Sequence, residues 1–114
     1  MSVKLTTRQV GDVTVIDANG RITLGEGAST FRETLRDLVS KGHKKLLVNL
    51  GDVSYIDSSG IGELVSGFTT VTNQGGQLKL LNLTKRVKDL LQITKLYTVF
   101  EVFENEADAV RSFS

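Results

Sequence analysis

The run Lys45-Leu46-Leu47-Val48-Asn49-Leu50 leads into Gly51-Asp52-Val53-Ser54-Tyr55-Ile56-Asp57-Ser58-Ser59-Gly60-Ile61-Gly62, and this stretch decides how the chain is read. Residues 45–50 are almost continuously apolar, the pattern of a central strand covered on both faces. Ile61, Leu64, Val65, Phe68 and Val71 then recur at helical spacing, which predicts a helix over 59–73, ended by Gly75-Gly76. Residues 51–57 read as a polar turn between the two. In an open α/β sheet that turn lies outside the carboxyl end of a strand, where ligands and partners meet the fold.

No linker or internal repeat is visible, and strands and helices continue to alternate on both sides of this stretch. Residues 3–10 and 13–18 read as strands, and Gly11-Asp12 between them suits a type II′ hairpin with Gly first. Gly20, Gly25 and Gly27 mark a loop. A helix is predicted from about Ala28 to Ser40, with Phe31, Leu35, Leu38 and Val39 on its apolar face and Gly42 just past its end. Leu78, Leu80, Leu81 and Leu83 give a fourth strand. Thr84 is placed to cap a short helix carrying Val87, Leu90 and Leu91. Residues 99–103 read as an edge strand and 105–113 as a last helix with Ala109 and Phe113 on one face. The order β-β-α-β-α-β-α-β-α predicts one α/β domain over 1–114. Its sheet of about five strands is mixed but mostly parallel, with about four helices.

Composition excludes more than it names. The 114 residues carry 14 Lys and Arg against 13 Asp and Glu, so no basic excess suggests a polyanion such as nucleic acid. There is no Cys and one His, which removes disulfide, thiolate and His-rich metal chemistry. No apolar run reaches signal-peptide or membrane-spanning length. The expectation is a cytoplasmic protein without cofactor or metal and with no membrane partner.

The chemistry that remains centres on residues 57–62. Asp57, Ser58 and Ser59 are all competent helix caps. Gly60 and Gly62 are poor helix formers in a first turn, and their expected use is to leave the helix entrance bare for a partner or enzyme. A phosphate on Ser58 adds about −1.5 to −2 charge. The helix dipole favours that charge and Asp57 opposes it, so the predicted effect falls on whatever docks there and leaves the fold in place. Asp-Ser-Ser-Gly is also an ordinary turn-and-cap sequence when taken alone.

In its longer context the stretch 51–62 resembles the signature of the STAS domain family of anti-sigma factor antagonists, a strand followed by Asp-Ser-x-Gly-[Leu/Ile]-Gly opening a helix. The likeness extends to the opening hairpin, Gly20-Arg21-Ile22, Gly75-Gly76 and the Leu96 to Phe100 segment. It implies a STAS-like fold and a binding protein that is not an enzyme. The implied partner is an anti-sigma factor that is also a serine kinase of histidine-kinase-like ATPase fold. Unphosphorylated antagonist holds that kinase and frees a sigma factor. Phosphorylation of the Ser after the motif Asp, here Ser58, breaks the complex, and a phosphatase restores it. Ser59 falls at the variable position and is the second choice. Asp57, Ser59, Gly60, Ile61 and Gly62 are the implied motif and docking residues. Many antagonists carry Gly-x-[Leu/Ile]-Asp after the second strand; here Gly20-Arg21-Ile22-Thr23 puts Thr23 in the acidic place with Arg21 beside it, a possible partner-contact loop. That departure motivates the alternative of a non-switching STAS adaptor of a lipid or transporter ATPase complex.

Other chemistries lack their residues. Ser58 has Ile56 two before it rather than Gly, and His43 reads as a solvated loop residue, so no hydrolase is built. No P-loop occurs, and Val65 and Thr30 stand where a dinucleotide fingerprint needs its third Gly. Lys85, Arg86 and Lys88 could contact an acidic partner, but a solvated helix face is the simpler reading. Glu101, Glu104, Glu106 and Asp108 read as an acidic surface that matches no EF-hand spacing. Tyr55 and Phe68 read as core or core-edge residues.

Overall fold

The computed structural model describes residues 3–113; Met1, Ser2 and Ser114, the ends of the predicted domain, lie outside the described residues. The elements are β1 (Val3–Val10), β2 (Val13–Ile22), α1 (Glu26–Ser40), β3 (Lys45–Ile56) and α2 (Ser58–Asn73). They continue with β4 (Gln77–Leu81), α3 (Lys85–Ile93), a 3-10 turn (Tyr97–Val99), β5 (Val102–Phe103) and α4 (Glu106–Arg111). The sheet order is β1-β2-β3-β4-β5. β1 is antiparallel to β2, and all later pairs are parallel, as the alternation of strands and helices predicts. The hairpin pairs Val10 with Val13 across Gly11, whose φ is 64°, while Asp12 stays out of the left-handed region, the type II′ pattern.

Several predicted boundaries move. β3 does not end at Leu50 but runs to Ile56, so the expected polar turn over 51–56 is strand. Its pairing with β2 shifts register between Asp17 and Asn19 and again between Gly20 and Arg21, so two bulges break the period that marks a strand. Beyond Asn49, β3 has no β4 partner and pairs with β2 alone. For the same reason β2 reaches Ile22 rather than stopping at 18. α1 starts at Glu26, two residues early. β5 shrinks to two residues because Val99 closes a 3-10 turn, and α4 covers only part of 105–113.

Strand order advances one place per right-handed crossover, which sets α1, α2 and α3 on one face of the sheet. Phe31 and Leu35 of α1, Ile61 and Leu64 of α2, and Val87 and Leu91 of α3 meet Ile16, Leu46, Val48 and Leu80 there in one buried core. On the other face α4 alone packs, with Ala109 and Phe113 over Val13, Val15, Leu47 and Leu81. That smaller patch contains a buried cation. Lys79 Nζ donates to Ser112 O at 2.8 Å and to its Oγ at 2.9 Å, pairs with Glu101 at 2.9 Å, and sits 4.8 Å from the Phe113 ring centre. Beside it Arg8 bridges Asp17 of β2 and Glu106 of α4.

His43 is not a solvated loop residue. It is half-buried, and its Nδ1 lies 2.9 Å from the hydroxyl of buried Thr14. The carboxylates read as a free acidic surface are partly committed too: Glu106 pairs with Arg8, Glu101 with Lys79, and Asp108 with Arg111. Among the described residues no helix is long and apolar enough to cross a membrane.

Candidate functional site

Asp57 follows β3 in extended conformation and stands at the N-cap of α2. Its Oδ1 accepts from Gly60 N at 2.9 Å, which satisfies one of the free donors of the first turn. Its Oδ2 accepts from Leu24 N at 3.0 Å, in the loop between β2 and α1. One carboxylate therefore organises two helix entrances. Burial pushes its pKa up, but the N–H groups of Leu24, Gly60 and Ser59 together outweigh that and hold it below the usual carboxylate range.

The motif residues then divide by direction. Ser58, the first residue of α2, is exposed, and Ser59 is half-buried. Ile61 is 2% exposed and belongs to the core. A Cβ on Gly60 would lie 2.1 Å from Ile22 O and 2.6 Å from Ile56 Cγ1, whereas one on Gly62 would meet nothing within 4 Å. Gly60 therefore does not bare the helix entrance as expected, whereas Gly62 faces open space. Gly60 is glycine because the end of β2 runs against α2 there, and only a residue without Cβ lets the backbones approach so closely. Gly60 and Ile61 shape the site from beneath and offer nothing to a docking partner.

The second predicted cluster is brought to the same place. Arg21 is the cross-strand partner of Tyr55, and Ile22 is that of Ile56. Arg21 is exposed; Thr23 is half-buried, and its carbonyl accepts from Ala28 N at 2.9 Å as α1 begins. The N-cap of α1 is Gly25, at φ 97°, with no side-chain cap bond. Leu24, tethered through its N–H to Asp57, points its side chain outward at 79% exposure.

Two further residues join the site: Tyr55, which reads as core or core-edge in the sequence, and Arg86, which reads there as part of a basic group, solvated or facing an acidic partner. Tyr55 is not core: it is 37% exposed. Arg86 is not simply on a solvated face: it donates to Tyr55 Oη at 2.9 Å and to Ile56 O at 3.3 Å, while Lys85 pairs with Asp89. Phe68 is half-buried and packs edge-on against Phe100, as a core-edge residue. An open cleft of about 660 Å³ lies beside the middle of β3 and the carboxyl end of β4, lined by Asn49, Asp52, Asn82, Thr84 and Lys88, and Ser58 is not part of it. No group of three or more His, Cys, Asp or Glu among the described residues could hold a metal.

Known proteins of this kind match the chain closely. It is 35% identical over 102 residues to the anti-sigma-B factor antagonist of Bacillus subtilis, covering 90% of this chain and 92% of that one. An anti-sigma factor antagonist from Mycobacterium paratuberculosis superposes with a TM-score of 0.84 at 16% identity, over 98% of this chain and 94% of that one. The phosphorylated form of the Bacillus cell fate determinant SpoIIAA does so at 0.76 and 18%, over 97% and 100%. The STAS domain profile matches residues 4–109, and with these likenesses it shows that the chain belongs to the STAS domain family.

Proposed function

We propose that this chain is a cytoplasmic anti-sigma factor antagonist, a binding protein and not an enzyme, switched by phosphorylation of Ser58. Unphosphorylated, it binds an anti-sigma factor that is a serine kinase of histidine-kinase-like ATPase fold. Phosphorylated, it releases that kinase until a phosphatase removes the group. For the first half, the name of its Bacillus subtilis relative supports the antagonism of an anti-sigma factor, and the kinase fold of that partner is what the STAS resemblance implies. The second half rests on one observation: Ser58 is exposed at the start of α2, beside an Asp57 whose carboxylate is already taken up by backbone donors.

That geometry makes the modification a surface event. Asp57 occupies donors of the first turn, so a phosphate on Ser58 finds few free N–H groups to turn inward to. It meets the Asp57 charge instead, and like charges repel. The phosphate stays in water, projecting where a partner would sit, and the core below is untouched. Binding is lost by charge and bulk at the interface, without refolding.

Mass spectrometry decides this after incubation with ATP and a kinase-fold anti-sigma factor from the same organism. The expected result is one phosphate on Ser58, none in Ser58→Ala, and loss of the complex on phosphorylation. No phosphate on Ser58, or a phosphorylated chain that still binds, would overturn the switch. Recovery of a transporter ATPase in place of the kinase would favour a non-switching adaptor, the reading that Thr23 in the usual acidic place suggests.

A further inference from the structure

Tyr55 has two guanidinium groups against its ring. Arg21 Cζ lies 5.1 Å from the ring centre and Arg86 Cζ 4.4 Å from it. They come from different elements, Arg21 from the end of β2 and Arg86 from the first turn of α3. Arg86 is fixed by its bonds to Tyr55 Oη and Ile56 O. Arg21 meets no hydrogen-bond acceptor and no carboxylate among the described residues; only the ring holds it.

Most other arginines are neutralised. Arg8 meets Asp17 and Glu106, Arg32 meets Glu63, and Arg111 meets Asp108. Arg36 also lacks a carboxylate, but it stands on α1 apart from the others. Only Arg21 and Arg86 are gathered on one ring without an acid. Cations gathered this way repel each other, and stacking on an aromatic face offsets part of that repulsion while leaving the outer N–H donors free. The nearest acid in sequence, Asp57, is engaged by Leu24 N and Gly60 N. The basic group does not extend into a stripe that would follow a polyanion, since Lys85 is paired with Asp89.

We propose that Arg21, Tyr55 and Arg86 form a carboxylate-reading subsite of the docking surface, which seats an acidic side chain of the anti-sigma factor next to Ser58. This rests on the proposed function and adds the charge that the partner must carry. The planar guanidinium fork matches a carboxylate in a bidentate manner. Leu24 supplies an exposed apolar contact beside it. The subsite also gives the phosphate its leverage. A dianion on Ser58 repels the partner's acid and competes for the same guanidinium groups.

The test is calorimetric titration of a kinase-fold anti-sigma factor from the same organism into the full chain, at low and high salt. Arg21→Gln should weaken binding by about fivefold and Arg21→Glu by roughly thirtyfold or more, with the losses shrinking as salt rises. Arg21→Lys should fall between wild type and Gln, because the charge remains but the fork is lost. Melting temperatures should move only slightly, since Arg21 is exposed and its side chain is held by the Tyr55 ring alone. An acid-to-Arg change in the partner should restore binding to Arg21→Glu. The inference is overturned if Arg21→Gln and Arg21→Glu both bind within about twofold of wild type while Ser58→Asp still weakens binding; the proposed function survives that result. If wild type fails to bind the kinase at all, the proposed function falls and the subsite falls with it.

Discussion

The end of the molecule that carries Ser58 and the patch beneath α4 treat charge in opposite ways. Under α4, Lys79 is buried and closed off: a carbonyl, a hydroxyl, a carboxylate and an aromatic ring all meet it. Arg8 is likewise saturated by two acids. At the Ser58 end Asp57 is held by backbone donors and Arg86 by Tyr55 Oη and Ile56 O, while the Arg21 guanidinium meets no acceptor among the described residues. Leu24, Tyr55, Arg21, Arg86 and Ser58 are left facing outward. The first region spends its polar groups on holding the last helix to the sheet. The second spends one carboxylate on fixing two helix entrances and leaves the Arg21 guanidinium without an acceptor among the described residues. A surface meant for a partner should look like the second, because a donor already paired within the chain has little to gain from an outside acceptor.

The sharpest way to break the Ser58 end is from below. Gly60→Ala places a methyl 2.1 Å from a backbone carbonyl that cannot swing aside. The expected loss is at or above the ~3 kcal/mol upper range of overpacking, a drop in melting temperature of roughly 10 °C or more. Gly62→Ala, one turn position away, should instead stabilise by up to ~1 kcal/mol, because its Cβ meets nothing and alanine is the better helix former. Thermal melts of the pair check this; equal effects would mean that Gly60 does not pack as described.

The α4 patch should break by a different route. Lys79→Ala removes the cation and its stem, leaving Ser112 O without its donor, and is expected to cost about 2–3 kcal/mol. Lys79→Met keeps most of the apolar stem against Phe113 and should recover about half of that. Urea unfolding measures both. Equal losses would mean that the amine, and not the stem, carries the interaction.

The same two regions explain how far the sequence could be read. Element order, the hairpin, the Asp57 and Thr84 caps and the core stripes of α1 and α2 are local patterns of period and cap, and each is visible in a short window. The second half of β3 is not. Its bulges break the alternation, and Gly51-Asp52 looks like a turn until β2 is seen to run alongside. The roles of Gly60 and Arg86 are hidden for a related reason. Gly60 is set by Ile22 O, and Arg86 by Tyr55 and Ile56 O, each some thirty positions or more distant along the chain. His43 and Lys79 likewise take their surroundings from β2 and α4, which no local pattern reports.

Acid should loosen both regions, and two variants separate them. Arg8 holds the Asp17 and Glu106 carboxyls below their ordinary values, against the opposing effect of burial; backbone donors do the same for Asp57. A depressed folded value means full stabilisation above the unfolded pKa, about 4, and progressive loss as pH falls through the folded value. Melting temperature should therefore be flat near neutrality and decline below pH of about 4. Arg8→Gln should shrink that decline from the α4 side and Asp57→Asn from the Ser58 side. At neutral pH, Asp57→Ala should cost about 1 kcal/mol as a lost cap. It should also speed amide exchange at Leu24, whose donor loses its acceptor. Unchanged exchange at Leu24 would separate the two helix entrances.

Ser58→Asp should have the smallest effect on the fold and the clearest on binding. An acidic residue at the first position of a helix is favoured by the dipole, by up to ~1 kcal/mol. Here Asp57 already occupies that field and repels a second charge, so the two contributions nearly cancel. Stability should stay within about 1 kcal/mol of wild type, while affinity for the kinase-fold partner falls. Adding Arg21→Gln to Ser58→Asp then tests whether the two sites act together. If the new acid works by repelling the carboxylate that Arg21 attracts, the double variant should lose less than the sum of the single losses, because each change disables the same contact. Strict additivity would mean that charge on Ser58 acts on a part of the partner that the arginine pair does not touch.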